Sequence, residues 1–242
     1  MVHKSTALRE CILRTVFESA YDPRGVGELL EGTSVWLAAH VGVGPWPAGD
    51  QNSNEIATTA YGGYARISKP LDGTIFSFLS GPERVENIAD ILFATSSGYT
   101  SGDNVVTHVS LGTAGSAPSD ILYVCPIVAP GATWQAGTCK SVGGIETIIA
   151  HGHGYADADP VFIYPLYDDA TVSGAAIGTT YYVRYVDADS FQLSTTSGGA
   201  ANVNLNADQR MLICKTLPVA DRTITAGKIL KIPAGSLVIQ ET

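Results

Sequence analysis

Two histidines two residues apart, in His151-Gly152-His153-Gly154, form the densest group of side chains able to do chemistry in this chain. In an extended segment, residues two apart share a face, so both imidazoles could ligate one metal ion. Asp157 and Asp159 follow closely enough to add carboxylates. The wider ligand set is incomplete, however, and glycines on both sides of His153 are turn chemistry, so a structural turn without metal is the expectation. Three acidic doublets, Asp157/Asp159, Asp168-Asp169 and Asp187/Asp189, raise the question of hydrolysis. Hydrolysis of a glycosidic bond needs two carboxylates placed on either side of a substrate, and a calcium hand needs a D-x-D-x-D-G run with a distant Glu. The calcium pattern is absent, and turn capping is the expected role of the doublets, since Asp readily accepts from nearby backbone N–H groups. The chain has no G-x-S-x-G, H-E-x-x-H or P-loop pattern. His40, His108 and the many serines carry no spacing that announces a triad. Catalytic, cofactor-binding and metal-ligating residues are therefore expected to be none.

Composition narrows the field further. Charged residues are 15 % of the chain, well below the roughly 25 % of an average globular protein. With 26 Gly, 12 Pro and many Val, Ile, Thr and Tyr residues, short strands joined by tight turns are favoured. A hydrophobic fraction of 45 % over 242 residues is enough to bury a core, in one large all-β domain or two smaller ones. The net charge is −9 and the 14 basic residues are scattered. A nucleic-acid surface needs clustered Lys and Arg, so no nucleic-acid partner is expected. No run approaches the roughly 18 apolar residues of a membrane span, and with one firm positive charge and no apolar run after it, Met1-Val2-His3-Lys4 gives the expectation of no secretory leader. Cys11, Cys125, Cys139 and Cys214 show no C-x-x-C spacing. Reduced, buried thiols are the expectation, with a Cys125–Cys139 disulfide left open.

The elements that must position these residues are mostly strands. Residues 5–20 form the one helix expected, with Leu8, Cys11, Ile12, Thr15 and Val16 on one face, Ser5 or Thr6 capping it and Asp22-Pro23-Arg24-Gly25 ending it. A buried strand is expected at 33–40, followed by a loop through Pro45-Trp46-Pro47. A Pro-flanked Trp is costly to expose, so Trp46 serves either as a lid on its own domain or as a contact for a partner. Trp36 and Trp134 read as partly buried anchors. Further strands are expected near 74–79, 87–93, 105–111, 121–127, 211–215 and 228–239. Residues 179–196 read as a hairpin: Tyr181, Val183 and Tyr185 alternate in the first strand, Phe191 and Leu193 in the second, and Asp187-Ala188-Asp189-Ser190 makes the turn.

That hairpin, opened by Gly178 and followed by Gly198-Gly199-Ala200-Ala201, resembles β modules of tailed-bacteriophage virion proteins that carry a "GTTYYV…ADSFQLS" pattern. In such modules an "HG" sits at a turn with no metal implied. A second resemblance covers most of 1–130 and 210–242. It rests on Val35-Trp36-Leu37-Ala38-Ala39-His40, Asn54-Glu55, Tyr64-Ala65-Arg66, Asn87 to Phe93, Val106 to Ala114, Ile121-Leu122-Tyr123-Val124, and Ala226-Gly227-Lys228 followed by Ile232-Pro233-Ala234-Gly235-Ser236-Leu237. These motifs, in this order, are similar to those of a family of tailed-phage virion structural proteins, often labelled tail-fibre or decoration proteins. The family pattern has no counterpart of 131–208, which reads as a small β module inserted in a surface loop.

The resemblance implies a mainly β fold: a β-sandwich or jelly-roll-like host domain of 1–130 and 209–242 with an N-terminal helix, and an inserted module at 131–208. It implies a non-enzymatic structural protein of the phage particle, made in the host cytoplasm and carried in the virion. A capsid decoration or cement protein is the first expectation, a tail-fibre or baseplate appendage the second, and a glycan-degrading β enzyme the third. Implied partners are the major capsid protein or tail proteins, in a symmetric homo-oligomeric assembly. Trp46, Pro45, Pro47, Leu8 and Ile12 are the candidate partner contacts, because a closed sandwich explains them least.

Overall fold

The computed structural model describes residues 34–45, 50–70, 74–78, 84–116, 121–142, 145–165, 172–205 and 208–240. The expected helix at 5–20 with Leu8, Cys11 and Ile12, the Trp46-Pro47 pair, and Asp168-Asp169 lie outside them. The fold is mainly β. Two compact units divide the chain: Met1–Pro130 with Thr223–Thr242, and Gly131–Arg222.

The discontinuous unit holds β1 (Ser34–Val41), β2 (Ile67–Pro70), β3 (Phe76–Phe78), β4 (Arg84–Asn87), β5 (Ile91–Thr95), β6 (Val106–Gly112), β7 (Ile121–Pro126), and, after the second unit, β14 (Ile229–Ile232) and β15 (Val238–Gln240). They make an antiparallel sheet in the order β2-β1-β6-β7, a ribbon β14-β5 and a three-stranded sheet β15-β4-β3. β1 and β6 are central and buried almost throughout, which is why they read as nearly continuous apolar runs through Leu37, Ala38, Ala39, Val106, Val109 and Leu111.

The strand expected at 87–93 is two strands, and so is the one expected at 228–239. The two breaks meet. Asn87 is fully buried, and its Nδ2 donates to Ala89 O (2.9 Å) and Pro233 O (2.8 Å), while its Oδ1 accepts from Leu237 N (2.8 Å). Its backbone carbonyl accepts from Gly235 N at 2.6 Å. Pro233 offers no ladder donor, and Gly235 takes φ +76°, a conformation open to Gly. One long antiparallel ribbon is thus bent at an elbow, with Ile232 opposite Ile91 on one side and Val238 opposite Glu86 on the other. Asn104 and Ile224 add a second tie, by Asn104 Nδ2 to Ile224 O (2.7 Å) and Ile224 N to Asn104 O (2.8 Å).

The second unit holds β8 (Gln135–Val142), β9 (Ile145–Ile149), β10 (Pro160–Pro165), β11 (Tyr181–Asp187), β12 (Ser190–Ser194), β13 (Arg210–Lys215) and the short helix α1 (Val219–Arg222). The strands close into a barrel in the order β10-β11-β12-β9-β8-β13, antiparallel at every step. Closure removes both sheet edges. β13, expected in the flanking chain, instead pairs with β8 and β10 and completes the barrel, so the return crossing lies at Arg222–Thr223 rather than near 208.

The core of this unit is apolar, built from Ile148, Val161, Ile163, Val183, Phe191, Leu193, Met211 and Ile213. Strand β8 escapes a sequence reading because its inward positions are small, Gly137 and Cys139. A Cβ at Gly137 would lie 2.7 Å from Ile213 Cδ1 and 2.8 Å from Ile148 Cγ2. Trp134 is half-buried, edge-on to Tyr164 with ring centroids 5.4 Å apart. Arg222 is fully buried, with Nε donating to Leu217 O (3.0 Å) and the guanidinium 5.0 Å from the Phe162 ring centroid. Burial lowers its pKa to about 10, which leaves it charged at neutral pH.

Candidate functional site

The histidine pair splits between two environments. It lies on the connection from β9 to β10. Positive φ at Gly152 (+61°) and Gly154 (+65°) makes this connection a turn, and Gly152, between the two histidines, sends their rings to different places. His151 has a side chain 83 % exposed, 3.5 Å from Asp189 Oδ1. His153 is buried; its Nδ1 accepts from Tyr155 N (2.9 Å) and its Nε2 faces Asp187 O (3.0 Å), so Nε2 carries the proton and donates. Its ring stacks on Tyr155 and meets Tyr185 and Phe191 edge-on. Both nitrogens of His153 are engaged in these hydrogen bonds. Among the described residues, no group of three or more His, Cys, Asp or Glu side chains is placed to hold a metal ion.

The described acidic doublets serve the same turns. Asp159 Oδ2 accepts from Ala156 N (2.9 Å), and its Oδ1 pairs with Lys215 (2.6 Å). Asp157 accepts from Tyr185 N (3.1 Å) and Arg184 Nη1 (2.7 Å). Asp187 Oδ1 accepts from Asp189 N (2.8 Å), and that bond, with those from Ser190, holds its carboxyl below the usual carboxylate range. Cys125, Cys139 and Cys214 are buried thiols outside any disulfide. Burial pushes Cys125 up to about 12, which makes it a poor nucleophile.

The chemistry-bearing cluster that the spacing did not announce lies in the discontinuous unit. Pairing of β1 with β6 sets Ala38 opposite Ser110 and His40 opposite His108. His40 and Ser110 are fully buried. Ring atom Nδ1 of His40 faces Ser53 O (3.0 Å) and therefore donates, while Nε2 accepts from Ser110 Oγ at 2.7 Å. A serine hydroxyl on an imidazole whose other nitrogen is oriented by a third group is the start of an acyl-transfer set. Here the third group is a neutral carbonyl. Gln51 Nε2 also donates to the same hydroxyl (3.0 Å) and to Trp36 O (3.0 Å). Gln51 is itself fully buried and seals the serine from solvent. Burial depresses the His40 pKa to about 4, against opposing contributions from the Ser53 carbonyl and Glu55.

The network continues to Arg66, whose five N–H donors are all used. Nε donates to Glu55 Oε1 (2.9 Å), and Nη1 to Gln51 Oε1 (3.3 Å) and Ala114 O (3.2 Å). Nη2 donates to Asn52 Oδ1 (2.7 Å) and Glu55 Oε2 (2.8 Å), so the carboxylate is held by a two-pronged fork. That hydrogen bond to Glu55 is the first reason the Arg66 pKa rises. Tyr64 Oη donates to Glu55 Oε1 (2.8 Å) and accepts from Ala39 N (2.9 Å). Burial, then the Glu55 charge, drive the Tyr64 pKa upward. Asn54 Nδ2 reaches Gly44 O at 2.6 Å, beside the buried Pro45.

Sequence reasoning quoted Asn54-Glu55 and Tyr64-Ala65-Arg66 as separate motifs and missed Gln51, Ser53 and Ser110. The available signal was polar residues at the buried positions of strands, His40 in β1 and His108 and Ser110 in β6, each of which must find a partner. No family model, curated protein or solved structure matches this chain.

Proposed function

We propose that this protein is a non-enzymatic structural component of a tailed-phage particle, most concretely a capsid-surface decoration protein added in many symmetric copies. The sheets of the discontinuous unit then form a β-sandwich or jelly-roll-like host, and the barrel is the module carried in one of its loops. One observation carries the reading. The residues on which the resemblance to virion proteins rests act as structural ties: Glu55 and Arg66 lock to each other, Asn87 holds the elbow to Pro233 and Leu237, and Asp90 receives Ala234 N (3.1 Å) and pairs with Lys231 (2.7 Å). The contact of the Ser110 hydroxyl with His40 is sealed inside the same set of ties. A particle protein needs such a frame and a contact face, and no active site.

A decoration protein binds the assembled lattice and not its unfolded subunits, so it stabilises the shell by mass action. Purified protein is expected to add to shells lacking it, saturate at a fixed ratio to the major shell protein and raise their melting temperature. A few copies per particle, confined to the tail, would replace this reading by the tail-appendage one. Glycan hydrolysis abolished by Ser110→Ala would overturn both.

A further inference from the structure

The backbone of the loop at 50–56 is bonded to β1 on both sides of one imidazole, besides the ties that Gln51, Asn52 and Glu55 make through their side chains. Val41 N donates to Asn54 O (2.9 Å), Ile56 N donates to Ala39 O (2.9 Å), and between them His40 Nδ1 donates to Ser53 O. The arrangement requires His40 to be neutral, since Nε2 must accept the Ser110 hydroxyl. A second proton on the ring would turn Nε2 into a donor. Two donors, His40 Nε2 and Gln51 Nε2, would then converge on Ser110 Oγ, and the hydroxyl proton would lose its acceptor. The new charge would be fully buried beside Arg66.

The groups facing His40 do not offset that charge well. From the loop come Asp50 and Glu55, from β6 comes His108, and from the segment before β2 come Tyr64 and Arg66. Glu55 already holds the Arg66 fork and the Tyr64 hydroxyl. Asp50 is engaged at its own turn, accepting from Asn52 N (2.8 Å) and Ser53 N (3.0 Å). Hydrating His40 is the remaining relief. The smallest piece of structure whose movement achieves it is the loop, because the other side of the ring is the β1–β6 pairing.

We propose that the 50–56 loop is an acid-released clasp, closed by neutral His40 and opened when His40 takes up a proton, ahead of unfolding of the sheet beneath it. The direction follows from the titration. The closed form holds His40 near 4, against an ordinary value of 6.5. As pH falls below about 6.5 the opened form takes up a proton before the closed form does, so opening grows as pH drops until about 4.

Hydrogen exchange of the full chain tests this, with rates corrected for the intrinsic chemistry of each amide. The opening constants of Val41 and Ile56 are expected to rise about tenfold per pH unit between about 6.5 and 4, the slope of one proton. Amides of the β6–β7 ladder and of the barrel are expected to stay flat in the same samples. His40→Gln keeps a donor for Ser53 O and an acceptor for Ser110, and is expected to abolish the slope while leaving every other side chain of the loop in place. A slope that persists in His40→Gln belongs to another group and overturns the proposal. Val41 and Ile56 exchanging in step with β6–β7 would show unfolding of the whole sheet and would also overturn it. Should His40→Gln fail to fold, proton NMR of the wild-type ring decides: a His40 titration that tracks loop opening supports the clasp, and one that proceeds while both amides remain protected refutes it.

Discussion

The two units solve the same problem, keeping a β structure single-valued, by opposite means. The discontinuous unit buries polar groups and satisfies them. Arg66, Gln51, His40, Ser110 and Asn87 are all buried, and their hydrogen bonds join segments far apart in sequence, Asn87 to Pro233 and Leu237 being the longest reach. The barrel instead closes its backbone bonds on itself, packs a largely apolar interior, and pairs sequence neighbours at three of its six joints, β8 with β9, β10 with β11 and β11 with β12. Buried polar networks specify one arrangement because a half-satisfied alternative is so costly. Apolar packing specifies through shape, and tolerates less added volume than lost polarity. The first unit should therefore break when a group is removed, and the second when one is added.

The largest effect is expected at Arg66. Arg66→Ala leaves the Glu55 carboxylate without its fork and also strips Gln51 and Asn52 of their donor. Losing one partner of a largely buried pair costs about 3 kcal/mol or more. Arg66→Lys should rescue only part, because one ammonium cannot reproduce five fixed donors. Chemical denaturation followed by exchange at amides of each unit will show whether the loss falls on the discontinuous unit alone. Equal loss of barrel protection would mean the contrast between the units is not energetic.

Asn87→Ala ranks next. It leaves Leu237 N and the Ala89 and Pro233 carbonyls without their side-chain partner at a buried corner. One unsatisfied buried group costs about 1–3 kcal/mol, so roughly 2–3 kcal/mol is expected after local relaxation. Asn87→Asp sharpens the test: it keeps the acceptor for Leu237 N but turns a carboxylate oxygen toward two carbonyls, and should be no better than alanine. Thermal unfolding of both variants checks the order.

Legibility in the sequence followed the same divide. β1, β6, β7 and the β11–β12 hairpin were readable because Val, Ile, Leu and Tyr recur at buried positions or, in β7, at half-buried ones. The alternation of Tyr181, Val183 and Tyr185 is real, although Tyr185 is half exposed at the bulge before Asp187 and leans edge-on to His153. The elbow was not readable, since only the side chain of Asn87, acting across 146 residues to Pro233, separates a bend from a continuing strand. The His40–Ser110 contact, 70 residues apart, depends on the β1–β6 register, which no local pattern encodes. The two histidines that spacing did bring forward, His151 and His153, were drawn apart by Gly152 in the left-handed region between them.

The smallest of the three effects, and the one that separates the two modes most cleanly, is expected at Gly137. It is buried in β8 opposite Met211, and the nearest atoms to an added Cβ are the tip of Ile213 and a branch methyl of Ile148. Ile213 Cδ1 can swing away, but Ile148 Cγ2 is fixed close to its backbone by β-branching. Gly137→Ala should therefore cost about 1–2 kcal/mol, at the low end of core overpacking. A second change that restores volume, Ile148→Val, removes the far methyl rather than the clashing branch and should not rescue it; Ile148→Leu, which moves the branch outward along the side chain, should. Denaturant midpoints of the single and double variants form the cycle that checks this. If Gly137→Ala were neutral or stabilising, the barrel would have free volume at this layer, and its single-valuedness would have to come from strand closure alone.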